Sequence, residues 1–318
     1  MKQIFISQFK PGQNLNDFFV LAEKTMSRKK DGAPYLNISL SDKTGRIRGV
    51  VWDNVEQIAS ASRSGDIVCV KGSVSEYKGG LQVVVRDLEP VEEDLDPSDF
   101  LPATRRDTQK MYERIKDLGR TINSEHLRGL IESFWQDDGF VDRFKKAPAA
   151  KKMHHAYIGG LLEHSLSLGL LADKVAGHYS GLDRDLLIAG AILHDIGKVS
   201  EFTFNTSIDY SDQGRLLSHI VIGVEMLEEK IKHIPGFPGE TALLLKHMLV
   251  SHHGSREMGS PEPPKTLEAV LLNYLDDIDA KINGIREFMD NQDAEATWTA
   301  YHKPLERFFY RGGPGQTL

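Results

Sequence analysis

A chain of 318 residues with 40% hydrophobic and 27% charged side chains has the composition of a folded protein of about two domains, and no apolar run approaches the ~18 residues of a membrane span. The single cysteine, Cys69, excludes an internal disulfide framework and a multi-cysteine zinc site, and it fits a reducing, cytoplasmic setting. The net charge of −7 argues against bulk attraction of nucleic acid and leaves local basic patches as the means of gripping a polyanion.

The N-terminus, Met1-Lys2-Gln3-Ile4-Phe5-Ile6, lacks the long apolar stretch of a secretory signal. Residues 1–90 then read as strands. Phe18 to Ala22 is a short apolar run, and Tyr35 to Leu40 alternates with period two. A turn at Asp42-Lys43-Thr44-Gly45 leads back through Arg46 to Trp52. Asp66 to Val74 and Leu81 to Val85 follow, the second after a Gly79-Gly80 turn. Asn54 to Ala61 is the one helix expected among them. Five strands with one helix after the third predict a small barrel of OB type. Cys69 lies in an apolar run and reads as a core residue. Residues 91–106, with Glu92-Glu93-Asp94 and prolines at 97 and 102, read as a solvated acidic linker.

From residue 107 to 318 the pattern turns helical. Apolar residues recur at three and four spacing around Leu161 to Val175, Leu186 to Leu193, Leu217 to Leu227, Leu243 to Val250 and Leu267 to Ile285. Near the end, Trp298, Tyr301, Phe308, Phe309 and Tyr310 are expected to pack a last helix onto the core or onto a neighbouring subunit of a homo-oligomer. The tail from Arg311 to Gly315 is expected to be disordered. The fold class is therefore α+β and multidomain, a barrel followed by an all-α bundle.

The chemistry concentrates in the helical part. Ala189 to Leu193 is an apolar helix that ends in His194-Asp195, followed by Ile196-Gly197-Lys198 with the glycine at a C-cap position. An imidazole and a carboxylate at the end of an apolar helix are costly unless paired. A divalent metal satisfies both, one with a neutral nitrogen and the other with a hard oxygen. His164, His219, the pair His252-His253, and Asp276 with Asp279 each interrupt or end another apolar helical face. Such faces point inward, so these side chains can converge as metal ligands do in bundle cores.

The ordered set His164, His194-Asp195-Ile196-Gly197-Lys198, His219, His252 and Asp276 resembles the HD superfamily of metal-dependent phosphohydrolases over residues 150–285. Met153-His154-His155 to Glu163-His164, Ser218-His219-Ile220 and Asp276-Asp277-Ile278-Asp279-Ala280-Lys281 narrow the match. They resemble the YhaM family of 3′→5′ exoribonucleases, which also carries an OB-type domain in front of its HD domain. The Gly-Tyr-Pro motif of cyclic-dinucleotide phosphodiesterases does not follow His252-His253-Gly254. The resemblance implies that His164, His194, Asp195 and Asp276 form a first metal site. It implies a second from His219 and His252, or His253, with Asp195 bridging. Two Mn²⁺ ions are implied; the ligand types alone also suit Fe or Zn, and Mg or Co stays open.

Catalysis is expected from Asp195 at the cation pair, Lys198 as a neutralising charge on phosphoryl oxygens, and His154 or His155 as phosphate binder or proton donor. The expected substrate is single-stranded RNA, with single-stranded DNA open, and the product a nucleoside 5′-monophosphate. In the barrel, Arg28, Lys29, Lys30, Tyr35, Arg46, Arg48, Trp52 and Tyr77 are the expected RNA contacts, since such barrels combine basic grooves with stacking rings. Lys145 to Lys152 is a further basic stretch ahead of the first histidines. The competing readings are an HD phosphohydrolase of nucleotides or cyclic nucleotides, and a non-enzymatic RNA-binding module with a structural metal.

Overall fold

A computed structural model describes residues 2–91, 95–151, 155–290, 292 and 296–312. The acidic triplet Glu92-Glu93-Asp94, His154 and the final tail lie outside the described residues. Two compact units divide the chain: Met1–Arg105 with Thr203–Asp209, and Arg106–Phe202 with Tyr210–Leu318.

The first unit is a closed five-stranded barrel of β1 (Asn14–Arg28), β2 (Pro34–Asp42), β3 (Gly45–Val51), β4 (Ile67–Tyr77) and β5 (Gly80–Pro90), ordered β1-β2-β3-β5-β4. All pairs are antiparallel except β3 with β5, and α1 (Val55–Ala61) sits between β3 and β4. This is the OB arrangement. Alternation along β2 sends Leu36, Ile38 and Leu40 inward and Asn37 and Ser39 outward, because successive side chains take opposite faces. Phe19, Leu21, Val68, Val70, Val83 and Val85 complete the interior.

Four features differ from expectation; the first is Cys69, which is only half-buried, between the inward-facing Val68 and Val70 of β4. β1 is a strand of 15 residues, not a short run; past Leu21 a bulge lets its polar half stay paired with β2. The segment after β5 is not wholly solvated, since Pro97, Phe100 and Leu101 are buried and the Lys43 N–H donates to Asp99 O. The aromatic tail forms no helix. Pro304 lacks the N–H that a helix interior needs, and the chain instead makes a 3-10 turn at Lys303–Leu305. Bridges pair Trp298 with Tyr310 and His302 with Arg307 across it.

The second unit is helical: α2 (Thr108–Arg120), α3 (Glu125–Trp135), α4 (Asp138–Lys146), α5 (Gly160–Ala176), α6 (Arg184–Leu193), α7 (Lys198–Glu201), α8 (Asp212–Lys232), α9 (Gly239–Ser251) and α10 (Leu267–Asp290). A small hairpin of β6 (Phe202–Thr203) and β7 (Asp209–Tyr210) separates α7 from α8. Side chains of Asp107, Asp137, Asp183 and Ser211 accept N–H groups of the first turns of α2, α4, α6 and α8, so the sequence marks these starts locally. Helix α6 is buried at every position from Leu186 to Leu193 and packs on α5, α9 and α10. A helix that is apolar all round belongs in the centre, and its C-terminal end delivers His194 to the interior.

Candidate metal centre

Five segments bring their polar residues to one buried place. His164 comes from α5, His194 and Asp195 from the end of α6, His219 from α8, His252 from the end of α9, and Asp276 from α10. His164 Nε2 lies 3.2 Å from His194 Nε2, 3.2 Å from Asp276 Oδ1 and 3.7 Å from Asp195 Oδ2. His194 Nε2 is 3.2 Å from Asp195 Oδ2. On its other edge, Asp195 Oδ1 lies 3.5 Å from both His219 Nε2 and His252 Nε2. One carboxylate thus stands between two groups of donors. His164-His194-Asp276 and His219-His252-His253 each gather their ligand atoms within 4.8 Å.

The far nitrogen of each ring fixes which atom faces inward. His194 Nδ1 donates to Ala191 O (3.0 Å) and His252 Nδ1 to Leu249 O (2.7 Å). His164 Nδ1 donates to Asp279 Oδ2 (2.9 Å) and His219 Nδ1 to Glu201 Oε1 (2.9 Å). With Nδ1 carrying the hydrogen, neutral imidazole presents a lone pair at Nε2, and all four Nε2 atoms converge. Lone pairs facing each other are repulsive unless something positive lies among them. Among the described residues, Asp195 Oδ1, His219 Nε2, His252 Nε2 and His253 Nδ1 are buried with no hydrogen-bond partner. Buried polar atoms are seldom left so. Neutral nitrogens and anionic oxygens, aimed together and unsatisfied, are the donor set of a divalent cation, and the residues fit one.

The electrostatics agree. Burial opposes ionisation of Asp195, but Lys198, His194 and His219 overcome it and hold the carboxyl well below its usual range. Burial raises Asp276 and Asp279 too, yet His164 beside the first, and His155 and His164 beside the second, bring both down. Burial pushes His252 well below the ordinary imidazole value, and His253 to about 4. His164 goes the other way. Burial would lower it, but carboxylates on its two edges raise it to about 10. A proton on Nε2 of this ring and a cation there exclude each other.

Two backbone details shape the centre. Gly197 is not a left-handed helix cap; its φ is −62°. A Cβ there would sit 2.0 Å from His219 O, so the residue permits α7 to touch α8 where His219 emerges. Gly197→Ala is expected to cost about 1–3 kcal/mol, as overpacking does, lowering the denaturant midpoint; an unchanged midpoint would show that the contact yields freely. Ser218 has φ 61° and ψ 162°, a strained non-helical conformation inside α8. The resulting kink frees the His219 N–H, which donates to Glu201 Oε1 at 2.9 Å. Glu201 thereby holds both the backbone and the ring of His219.

The remaining expected residues take these places. His155 does not line the cleft: its Nδ1 lies 2.8 Å from the Tyr157 hydroxyl and its Nε2 3.4 Å from Asp279, behind His164. Lys198 is not a free cation, since its ammonium lies 2.6 Å from Asp195 Oδ2. His252 faces Asp195, while His253 lines the cleft outside. Glu201, Ser218, Ser167 (whose hydroxyl donates to Asp279) and Tyr157 were not candidates from sequence. Only Asp279 carried a signal, three residues after Asp276 and so on one helix face with it.

In the barrel, Tyr35 stacks on Trp52 with ring centroids 5.0 Å apart, and Lys29 Nζ stands 4.9 Å from the Trp52 ring. Arg46 and Arg48 line a groove of about 260 Å³ with Glu23, Thr25, Asn37 and Ser39 on the outward face of β1, β2 and β3. Arg28 and Lys30 belong to the β1–β2 turn, where an Arg28 guanidinium N–H donates to Gly32 O. Tyr77 stands apart at the β4–β5 turn beside Lys78.

A closed barrel of OB type and a helical unit with histidine–aspartate donors at its centre define an HD-domain phosphohydrolase with a nucleic-acid-binding type of barrel. Residues 161–281 match the HD domain family, and residues 21–91 match the OB-fold nucleic acid binding domain. The chain is 34% identical over 282 residues to the 3′-5′ exoribonuclease YhaM of Geobacillus sp. (strain WCH70), covering 88% of this chain and 86% of that one. It is 34% identical over 274 residues to the protein of the same name in Bacillus subtilis (strain 168), covering 86% of each. The chain belongs to the YhaM family. The HD domain implies a divalent metal. Among the described residues no helix is long and apolar enough to cross a membrane.

Proposed function

We propose that the protein is a metal-dependent 3′→5′ exoribonuclease that shortens single-stranded RNA to nucleoside 5′-monophosphates. The observation that carries this is the Asp195 carboxylate standing between two groups of convergent, unsatisfied donors. His164, His194, Asp195 and Asp276 would hold one divalent cation, and His219 and His252, with Asp195, would hold a second. Mn²⁺ is the proposed ion. When bound, such a pair stabilises charge on phosphoryl oxygens and acidifies water.

The chain's own residues prepare that chemistry. Lys198 keeps Asp195 ionised although the carboxyl is buried. Carbonyls and carboxylates at each Nδ1 hold four imidazoles in the tautomer that presents Nε2. Asp279 holds the Nδ1 edge of the His164 ring, and Asp276, from the same helix, stands beside its Nε2 as a neighbouring donor. The barrel supplies a second grip on the polymer, and tethering raises the local concentration of RNA at the hydrolytic unit.

The test incubates the protein with 5′-labelled single-stranded RNA and Mn²⁺. A ladder shortening from the 3′ end is expected. Turnover of mononucleotides or cyclic nucleotides alone would favour the small-substrate reading, and RNA binding without turnover the non-enzymatic one. Glu201→Ala is expected to weaken cation binding about 10–100-fold, as loss of a partner behind a ligand does. Metal titration followed by calorimetry measures it, and undiminished affinity would remove Glu201 from the account.

A further inference from the structure

Beside the histidines lies a cleft of about 460 Å³. One side is polar, made of Lys198, His219 and His253. The other is aromatic. Phe202 and Tyr210, facing each other across the β6–β7 hairpin, hold their rings 5.2 Å apart at 39°. Phe202 is 3% exposed and acts as backing; Tyr210 is 40% exposed and presents its ring to the cleft. The Lys151 ammonium stands 5.5 Å from the Tyr210 centroid.

The platform is held firmly. Directly after Tyr210, the Ser211 N–H donates to Glu201 O (2.8 Å) and the Ser211 hydroxyl to Ser200 O (2.7 Å). These bonds tie Tyr210 to α7, the same short helix that carries Lys198 and Glu201. The ring is therefore fixed to the element that carries the partners of Asp195 and His219. A large exposed aromatic, backed by a buried one and flanked by the Lys151 cation, with the Lys198 ammonium and the His253 ring on the polar side, suits a ligand with a flat π-face at one end and an anion at the other. The volume lies within the ordinary range for a small-molecule site.

We propose that this cleft is the subsite for the 3′-terminal nucleotide, whose base stacks on Tyr210 while its phosphate lies toward Lys198 and His253. The proposal rests on the exoribonuclease reading and adds to it the residue that receives the base. Stacking is tolerant of base identity, because every base has a π-face.

The test measures dissociation constants of AMP and of ribose 5-phosphate with the full-length protein in Mn²⁺, for the natural chain, Tyr210→Ala and Tyr210→Phe. The two ligands differ only by the base. AMP should bind roughly 5- to 150-fold more tightly than ribose 5-phosphate, the span that stacking provides. That ratio should persist in Tyr210→Phe and fall to near one in Tyr210→Ala. Equal binding of the two ligands by the natural chain, or a ratio unaltered by Tyr210→Ala, overturns the subsite. The RNA ladder assay is independent of this ratio. A protein that trims RNA without the preference loses only the subsite; one with the preference that fails to trim keeps Tyr210 as a base-stacking residue but loses the exoribonuclease reading and, with it, the assignment of the cleft to an RNA 3′ end.

Discussion

Asp195→Asn should abolish cation retention and reduce RNA shortening by about three orders of magnitude or more, equivalent to ~4 kcal/mol in the barrier. The substitution preserves shape and removes charge. Each oxygen of Asp195 serves one group of donors, Oδ2 toward His164 and His194 and Oδ1 toward His219 and His252. An amide would turn an N–H donor toward one of these groups, capping a nitrogen lone pair with a hydrogen and taking it away from a cation. Lys198, buried and paired with Asp195 at 2.6 Å, would lose its counter-charge. Breaking a buried pair costs roughly 3–5 kcal/mol, so the variant should also unfold earlier. Metal analysis of the purified variant, together with the ladder assay, checks both parts. Full metal content with undiminished trimming would remove Asp195 from the centre of the account.

Much of this centre was readable because its ligands are chemically conspicuous. A histidine and an aspartate closing the apolar helix α6 have no reason to be there unless something pairs them. Strand β2 was readable from period-two alternation, β3 from the Asp42–Gly45 turn before it, and α6 from its unbroken apolar run. What stayed hidden depends on contacts far apart in sequence. Glu201 meets His219 across 18 positions, and nothing in Lys198-Val199-Ser200-Glu201 announces it. The Ser218 kink is invisible because serine is tolerated in helices and its strain is set by that distant carboxylate. Gly197 was read by its place after a helix, whereas its real constraint is the approach of His219 O. His155, expected as phosphate binder or proton donor, lies behind the His164 ring, beside Tyr157 and Asp279. The aromatic tail was misread as a helix because hydrophobic residues were weighed ahead of Pro304.

Loss of the stacked pair on the barrel should weaken RNA binding more than loss of any single basic residue there. Leu36 pairs with Val51 across β2 and β3, so Tyr35 and Trp52 fall opposite each other at the strand ends and stack. Trp52 remains 41% exposed, and its neighbour Lys29 is a cation that a base can displace toward a phosphate. Trp52→Ala should raise the dissociation constant for single-stranded RNA about 5- to 150-fold, the range for one stacking ring. Tyr35→Ala added to it should cost less than the two single effects multiplied, because the rings share one stack and each supports the other. Arg46→Ala should act differently. A phosphate contact contributes about 0.7 to the slope of log affinity against log salt for single strands, so its loss should flatten that slope while changing low-salt affinity most. Fluorescence anisotropy at several salt concentrations separates the two behaviours. A Trp52→Ala protein that binds as tightly as the natural chain would take the stacked pair out of RNA recognition and leave the groove at Arg46 and Arg48 as the barrel's grip.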